Sequence, residues 1–255
     1  MGKIFVESNT GRFANQLFPL FRALTIYEEN LGRFDKILFE SDSSYGGCRL
    51  TQDIIKRLPK QILNVVSFDT NEYRKEFEKY TVGVDEYIDG YCQDLTLINI
   101  DVVKRYFECP SHIKSTIFEL YGDITELVCI HVRRGDFLSD AYKDIFISPT
   151  KEYIDRCIEK YYANDKFIVI SDDIEWCKSN LSNHEVIFAD KCDDYLIDFY
   201  IQTLTKGNIL SASSWSIAGA IISPYRKCVM PNRLMNIDGG DSFNMFPDWA
   251  IRENI

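Results

Sequence analysis

The stretch LVCIHVRRGDF, residues 127–137, decides the fold. A short apolar run carrying no charge ends at Val132 and meets Arg133, Arg134, Gly135 and Asp136. A run of that length reads as a strand buried in a parallel sheet. In open α/β sheets, ligands bind just beyond the carboxyl ends of such strands. Period-two alternation puts His131 and Arg133 on one face, and Val132 and Arg134 on the other, until Gly135 ends the strand. Two adjacent arginines leaving a buried strand are costly unless they meet anions. A pyrophosphate fits, because guanidinium groups bind phosphate oxygens bidentately and stay charged. The plainer alternative is that Arg134 pairs with Asp136 and ties down the loop.

Outward from this strand the same pattern repeats. KIFVE (3–7), KILFE (36–40), NVVSF (64–68), KFIVIS (166–171), EVIFA (185–189), NILSA (208–212) and KCVMP (227–231) also read as strands. Helical stretches separate them at 13–30, 51–59, 70–80, 101–121, 150–163, 173–181, 193–206 and 214–222. Thr150 before KEYIDRCIEKYY, and Asp172-Asp173 before IEWCKSNL, are N-cap signals. Alternation of this kind implies parallel sheets with helices on both faces. The fold class expected is α/β, with two facing Rossmann-like domains and a cleft between them. Residues 1–122 form the first domain, on the acceptor side, and 123–235 the donor-binding domain. Residues 236–255 are expected to pack back on the first.

Composition narrows the function. A net charge of -10 argues against nucleic acid as a partner. The eight cysteines include no C-x-x-C and mostly stand among apolar residues, which suits reduced thiols and a cytoplasmic setting. His112, His131 and His184 are too scattered for a zinc site. The N-terminus enters a strand without a signal-peptide pattern, and no apolar run is long enough to span a bilayer. A soluble protein is expected, at most peripheral at a membrane.

Three further clusters offer polar groups. Ser171-Asp172-Asp173 follows KFIVI, where a carboxylate can read a guanine edge, hold a metal or cap the next helix. SASSWSIAGA (211–220) ends a strand, and Ser213, Ser214 and Ser216 open a helix whose free N–H groups suit an anion. GRFANQL (11–17) follows the first strand, with Gly11 at the bend and the amides of Asn15 and Gln16.

In their order these segments resemble the family 11 glycosyltransferases, the α-1,2-fucosyltransferases. The chain carries GRFANQLF, GYCQ (90–93), HVRRGD, ISDDIEW and ASSWSIAGA, and PDW (247–249) near its end. The resemblance implies the two-domain fold called GT-B and GDP-fucose as donor substrate, with no cofactor and no metal. It places Arg133 at the diphosphate, His131 and Asp172 near the guanine, Ser213 and Ser214 near the phosphates, and Asn15 and Gln16 as donor-binding residues that approach the cleft from the facing domain. Ala14, Ala212, Ile217 and Ala218 depart from the family pattern, the last two standing where tryptophans are usual. Loss of those rings either reshapes the pocket near the sugar or repacks a helix.

The implied reaction moves L-fucose from GDP-β-L-fucose to O2 of a galactoside with inversion, the acceptor being a galactose-containing glycan. Arg133, with Arg134, would stabilise the charge growing on GDP, as a metal does in other transferases. Asp136 is the candidate base, and Glu7 a weaker one. Other GDP-sugars, a metal-dependent transferase built on Asp172 and Asp173, and a silent binding homologue are the alternatives.

Overall fold

The computed structural model describes residues 1–6, 13–40, 63–66, 84–88, 90–225, 227–236 and 244–255. The helices expected at 51–59 and 70–80, the loop 41–48, and Glu7, Gly11 and Cys48 lie outside them. The chain divides into two compact units, Met1–Tyr106 and Phe107–Ile255.

In the first unit β1 (Gly2–Val6), β2 (Phe34–Glu40), β3 (Leu63–Val66) and β4 (Glu86–Ile88) form a parallel sheet in the order β3-β2-β1-β4. Helix α1 (Phe13–Glu29) packs on β1 and β2. Phe13, Leu17, Phe18, Leu20, Phe21 and Leu24 bury it almost all round, which explains why it is apolar beyond one stripe. Helix α2 (Ile100–Tyr106) covers α1, and the Asn99 N–H ahead of it donates to Thr25 Oγ at 2.9 Å.

The second unit holds α3 (Ser111–Tyr121), β5 (Val128–Val132), α4 (Lys151–Tyr161), β6 (Phe167–Ser171), α5 (Ile174–Leu181) and β7 (Val186–Phe188). After them come α6 (Tyr195–Leu204), β8 (Gly207–Ile209), α7 (Ser214–Ile222), β9 (Cys228–Pro231) and β10 (Ile251–Glu253). The sheet runs β10-β9-β8-β5-β6-β7, every described pairing parallel. Renumbered within the unit this is 3-2-1-4-5-6, the Rossmann order, read from the β7 edge. The order reverses between β5 and β8, so the ligand crevice of this sheet lies at their carboxyl ends. Val128, Ile130, Val132, Val169, Ile209 and Val229 put the sheet in the core, against Tyr153, Ile154, Cys157 and Ile158 of α4.

Three expectations change. The helix read at 101–121 is two helices, because Pro110 forms the N-cap of α3 and cannot continue α2. The break falls beside the unit boundary, so α3 packs against α6 in the second unit rather than closing the first at residue 122. The C-terminal segment supplies β10, paired with β9, instead of returning to the first domain. Asn232 N–H donates to Glu253 O at 2.8 Å, and Lys160 and Tyr161 both reach the Glu253 carboxylate.

Candidate active site at the carboxyl ends of β5, β6 and β8

Two hydroxyls hold the end of β5 in place. From β6, Ser171 Oγ donates to Val132 O at 2.8 Å. Past β8, the fully buried Ser211 Oγ donates to His131 O at 2.6 Å and accepts from Arg133 N–H at 2.8 Å. The β5–β8 register runs only to Ile130–Ile209, so Ser211 supplies the next rung where the strands part. The backbone that presents both arginines is thereby fixed from either side.

Arg133 is held between two carboxylates, through Nη2 to Asp136 Oδ1 at 2.6 Å and Nη1 to Asp172 Oδ2 at 2.8 Å. Its guanidinium also lies 5.5 Å from the Phe137 ring centre. Arg134 donates from Nε to Asp173 Oδ2 at 3.1 Å and stacks 4.1 Å over Trp176. The alternative Arg134–Asp136 pair is therefore not what forms. Asp136 braces Arg133, and Arg134 takes Asp173. Period-two alternation stops at Val132, so both arginines lean over the end of β6, while His131 turns to α7.

The two aspartates after β6 divide the work. Asp173 caps α5, accepting from Trp176 N–H. Asp172 accepts Arg134 N–H at 2.9 Å in addition to the Arg133 ion pair, so it organises the arginine loop rather than the helix. Gly135 is what lets it approach: a Cβ there would lie 2.5 Å from Asp172 Oδ2. Two guanidiniums and three carboxylates thus share one half-buried cluster.

Across the crevice, Ser213 caps α7 by accepting Trp215 N–H at 3.1 Å, and Ser214 opens its first turn. That turn carries the positive end of the helix. His131 Nδ1 meets Ser216 Oγ at 2.5 Å. Burial, aided by the Arg133 charge, pushes the His131 imidazole down to about 3, so the ring is neutral at physiological pH.

A family model, Glycosyl transferase family 11, matches residues 6–233 of this chain. The chain belongs to glycosyltransferase family 11. It is 28% identical over 214 residues to an alpha-1,2-colitosyltransferase of Escherichia coli, covering 78% of this chain and 72% of that protein. It is 27% identical over 161 residues to the O-antigen biosynthesis glycosyltransferase WbnK of the same organism, covering 54% and 52%. Among solved structures it is similar to the fucosyltransferase NodZ from Bradyrhizobium, with a TM-score of 0.52 at 13% identity, over 88% of this chain and 95% of that one. At that identity the likeness is one of fold, the α/β class of GT-B glycosyltransferases.

Of the family-like residues in the first unit, Asn15 is half-buried and its Oδ1 accepts from Gln93 Nε2 of the GYCQ segment at 3.1 Å. Gln16 is buried. Ile217 and Ala218 of this glycosyltransferase are fully buried in α7. Ser211 and the α6 residue Gln202 were not singled out by the sequence. The signal for Ser211 was a hydroxyl directly after the strand residues NIL (208–210). Gln202, whose Nε2 donates to Ser216 O at 2.7 Å, sits mid-helix and carries no sequence signal. Among the described residues no group of three His, Cys, Asp or Glu side chains could hold a metal ion, and no helix is long and apolar enough to cross a membrane.

Proposed function

We propose that this family 11 glycosyltransferase moves L-fucose from GDP-β-L-fucose to O2 of a galactoside, forming an α-1,2 linkage. The observation carrying this reading is the paired arginines at the switch point of a Rossmann sheet, opposite the N-terminus of α7. The diphosphate would lie between them, Arg133 exchanging a carboxylate for phosphate oxygens, with Ser213 and Ser214 at the other end. Inversion needs one displacement at the anomeric carbon. As the bond to GDP breaks, negative charge grows on the diphosphate, and the Arg133 guanidinium meets it already aligned. Asp136, released from Arg133 by the phosphate, would take the acceptor's proton. Asn15 would approach the donor from the first domain. Arginines rather than a metal ion would carry the leaving group.

The relation to an alpha-1,2-colitosyltransferase favours a second reading in which the donor carries colitose. Both are tested together. A thermal-shift screen of GDP-, UDP- and ADP-linked sugars should select GDP. Transfer assays should then yield an α-1,2-linked product from a β-galactoside with GDP-fucose, undiminished by EDTA. Transfer with GDP-colitose alone would choose the second reading. Stabilisation by UDP-sugars only would sink both.

A further inference from the structure

We propose that Ser216 is a positioning residue that fixes the neutral, Nε2-protonated form of His131, so that His131 meets the donor nucleotide as a hydrogen-bond donor. The second half of this proposal rests on the nucleotide-sugar reading above.

Ser216 is fully buried, and its hydroxyl has one side-chain partner among the described residues, His131 Nδ1 at 2.5 Å. A hydroxyl carries one proton and two lone pairs, whereas a neutral imidazole offers one donor and one acceptor. Were Nδ1 to carry the proton, the ring would donate and the buried hydroxyl proton would have nowhere to go. Leaving a buried donor unmade costs about 1–3 kcal/mol. When the hydroxyl donates, only lone pairs stay unused, which is far cheaper. Ser216 therefore donates to Nδ1, and the ring proton sits on Nε2. A doubly protonated ring is excluded separately, since burial and Arg133 hold His131 neutral.

Ser216 is itself held. The fully buried Gln202 of α6 donates from Nε2 to Ser216 O at 2.7 Å. Room for that amide comes from Gly219, where a Cβ would lie 2.3 Å from Gln202 Nε2. Ser211 fixes the other end of the same residue, at His131 O. His131 is thus clamped by backbone and ring, and its Nε2 has no protein partner among the described residues. An Nε2–H can serve only acceptor atoms. On a guanosine diphosphate these are phosphate oxygens, ribose oxygens or the O6, N7 and N3 of the base, and the N1–H and amino donors are ruled out.

Long-range nitrogen-15 correlation spectra read which ring nitrogen holds the proton. The chain has only three histidines, and His131→Gln assigns the signal. The nucleotide-free protein should show His131 protonated on Nε2 alone. Ser216→Ala should admit the Nδ1-protonated form beside it, and calorimetry with GDP should show Kd rising on the order of fivefold. A proton on Nδ1 in the unaltered protein overturns the proposal. So does a Ser216→Ala protein with an unchanged tautomer, or with unchanged GDP affinity. If the unaltered protein fails to bind GDP at all, the nucleotide reading falls, while the tautomer is still decided in its absence.

Discussion

Arg133 reaches Asp136 and Asp172 through its two terminal nitrogens, so lysine there keeps a charge but cannot span both partners. It also loses the planar fork that would meet a diphosphate. Arg133→Lys is expected to lower kcat/KM by about 10²–10³, the range for removing a donor aimed at developing charge. Arg134 makes its contacts with Asp173 and Trp176, away from that fork. Arg134→Lys should instead cost about 1 kcal/mol of stability through the lost stacking, with a smaller effect on rate. Urea unfolding and steady-state kinetics on both variants separate the two, and a near-normal rate for Arg133→Lys would misplace the diphosphate site. Gly135 tests the same geometry from the backbone. Gly135→Ala drives a Cβ into Asp172, and should cut transfer at least about tenfold, as misplacement near 1 Å in a catalytic constellation does. An unimpaired Gly135→Ala enzyme would mean that Asp172 does not organise the arginines.

Helix caps give a matching contrast between elements. Thr150 caps α4 by accepting Tyr153 N–H at 3.2 Å, and Ser213 caps α7 at the crevice. Replacing either by alanine should cost about 1 kcal/mol. Thr150→Ala should leave the KM for donor unchanged, whereas Ser213→Ala should raise it, as kinetics on the two variants would show. Equal kinetics would remove Ser213 from the phosphate site. These elements were legible beforehand because a cap precedes a periodic apolar pattern in α4 and a continuously buried run in α7, and the buried strands were legible because they are apolar on both faces. Strands β4 and β10 were not, since each is three residues long and includes charge. The break before α3 was written in Pro110 but masked by helical periodicity on both sides. Within the site, sequence named the charged residues but not their pairing. Past Val132 no period governs the side chains, so only the folded loop decides that Asp136 takes Arg133. The hydroxyls of Ser211 and Ser216 act across about 80 residues of chain, on contacts no local pattern encodes.

Two buried titratable groups in the second unit oppose each other where their titration windows overlap. His131, normally near 6.5, is lowered to about 3 by burial and Arg133. Its contribution is complete above pH 6.5 and is lost as pH falls toward 3, because the unfolded chain takes the proton first. Asp198 in α6 behaves in reverse. One of its carboxylate oxygens is buried with no hydrogen-bond partner. Burial first, then the charges of Asp194 and Asp193, raise its acid from 3.8 to about 7. Its contribution is complete below pH 3.8 and is lost as pH rises through 7. Between about pH 4 and 6.5, folding takes up one proton at Asp198 and releases one at His131, so the two slopes cancel. Each slope alone is at most about 1.4 kcal/mol per pH unit. Asp198→Asn should expose the His131 slope. The stability of that variant relative to the unaltered protein should climb from pH 4.5 to 6.5 by up to about 1.4 kcal/mol per unit. Urea unfolding of both proteins at pH 4.5, 5.5 and 6.5 measures this difference directly. All other titrating groups are common to the two chains and drop out of it. Parallel stability profiles would show that Asp198 ionises in the folded protein as it does in water.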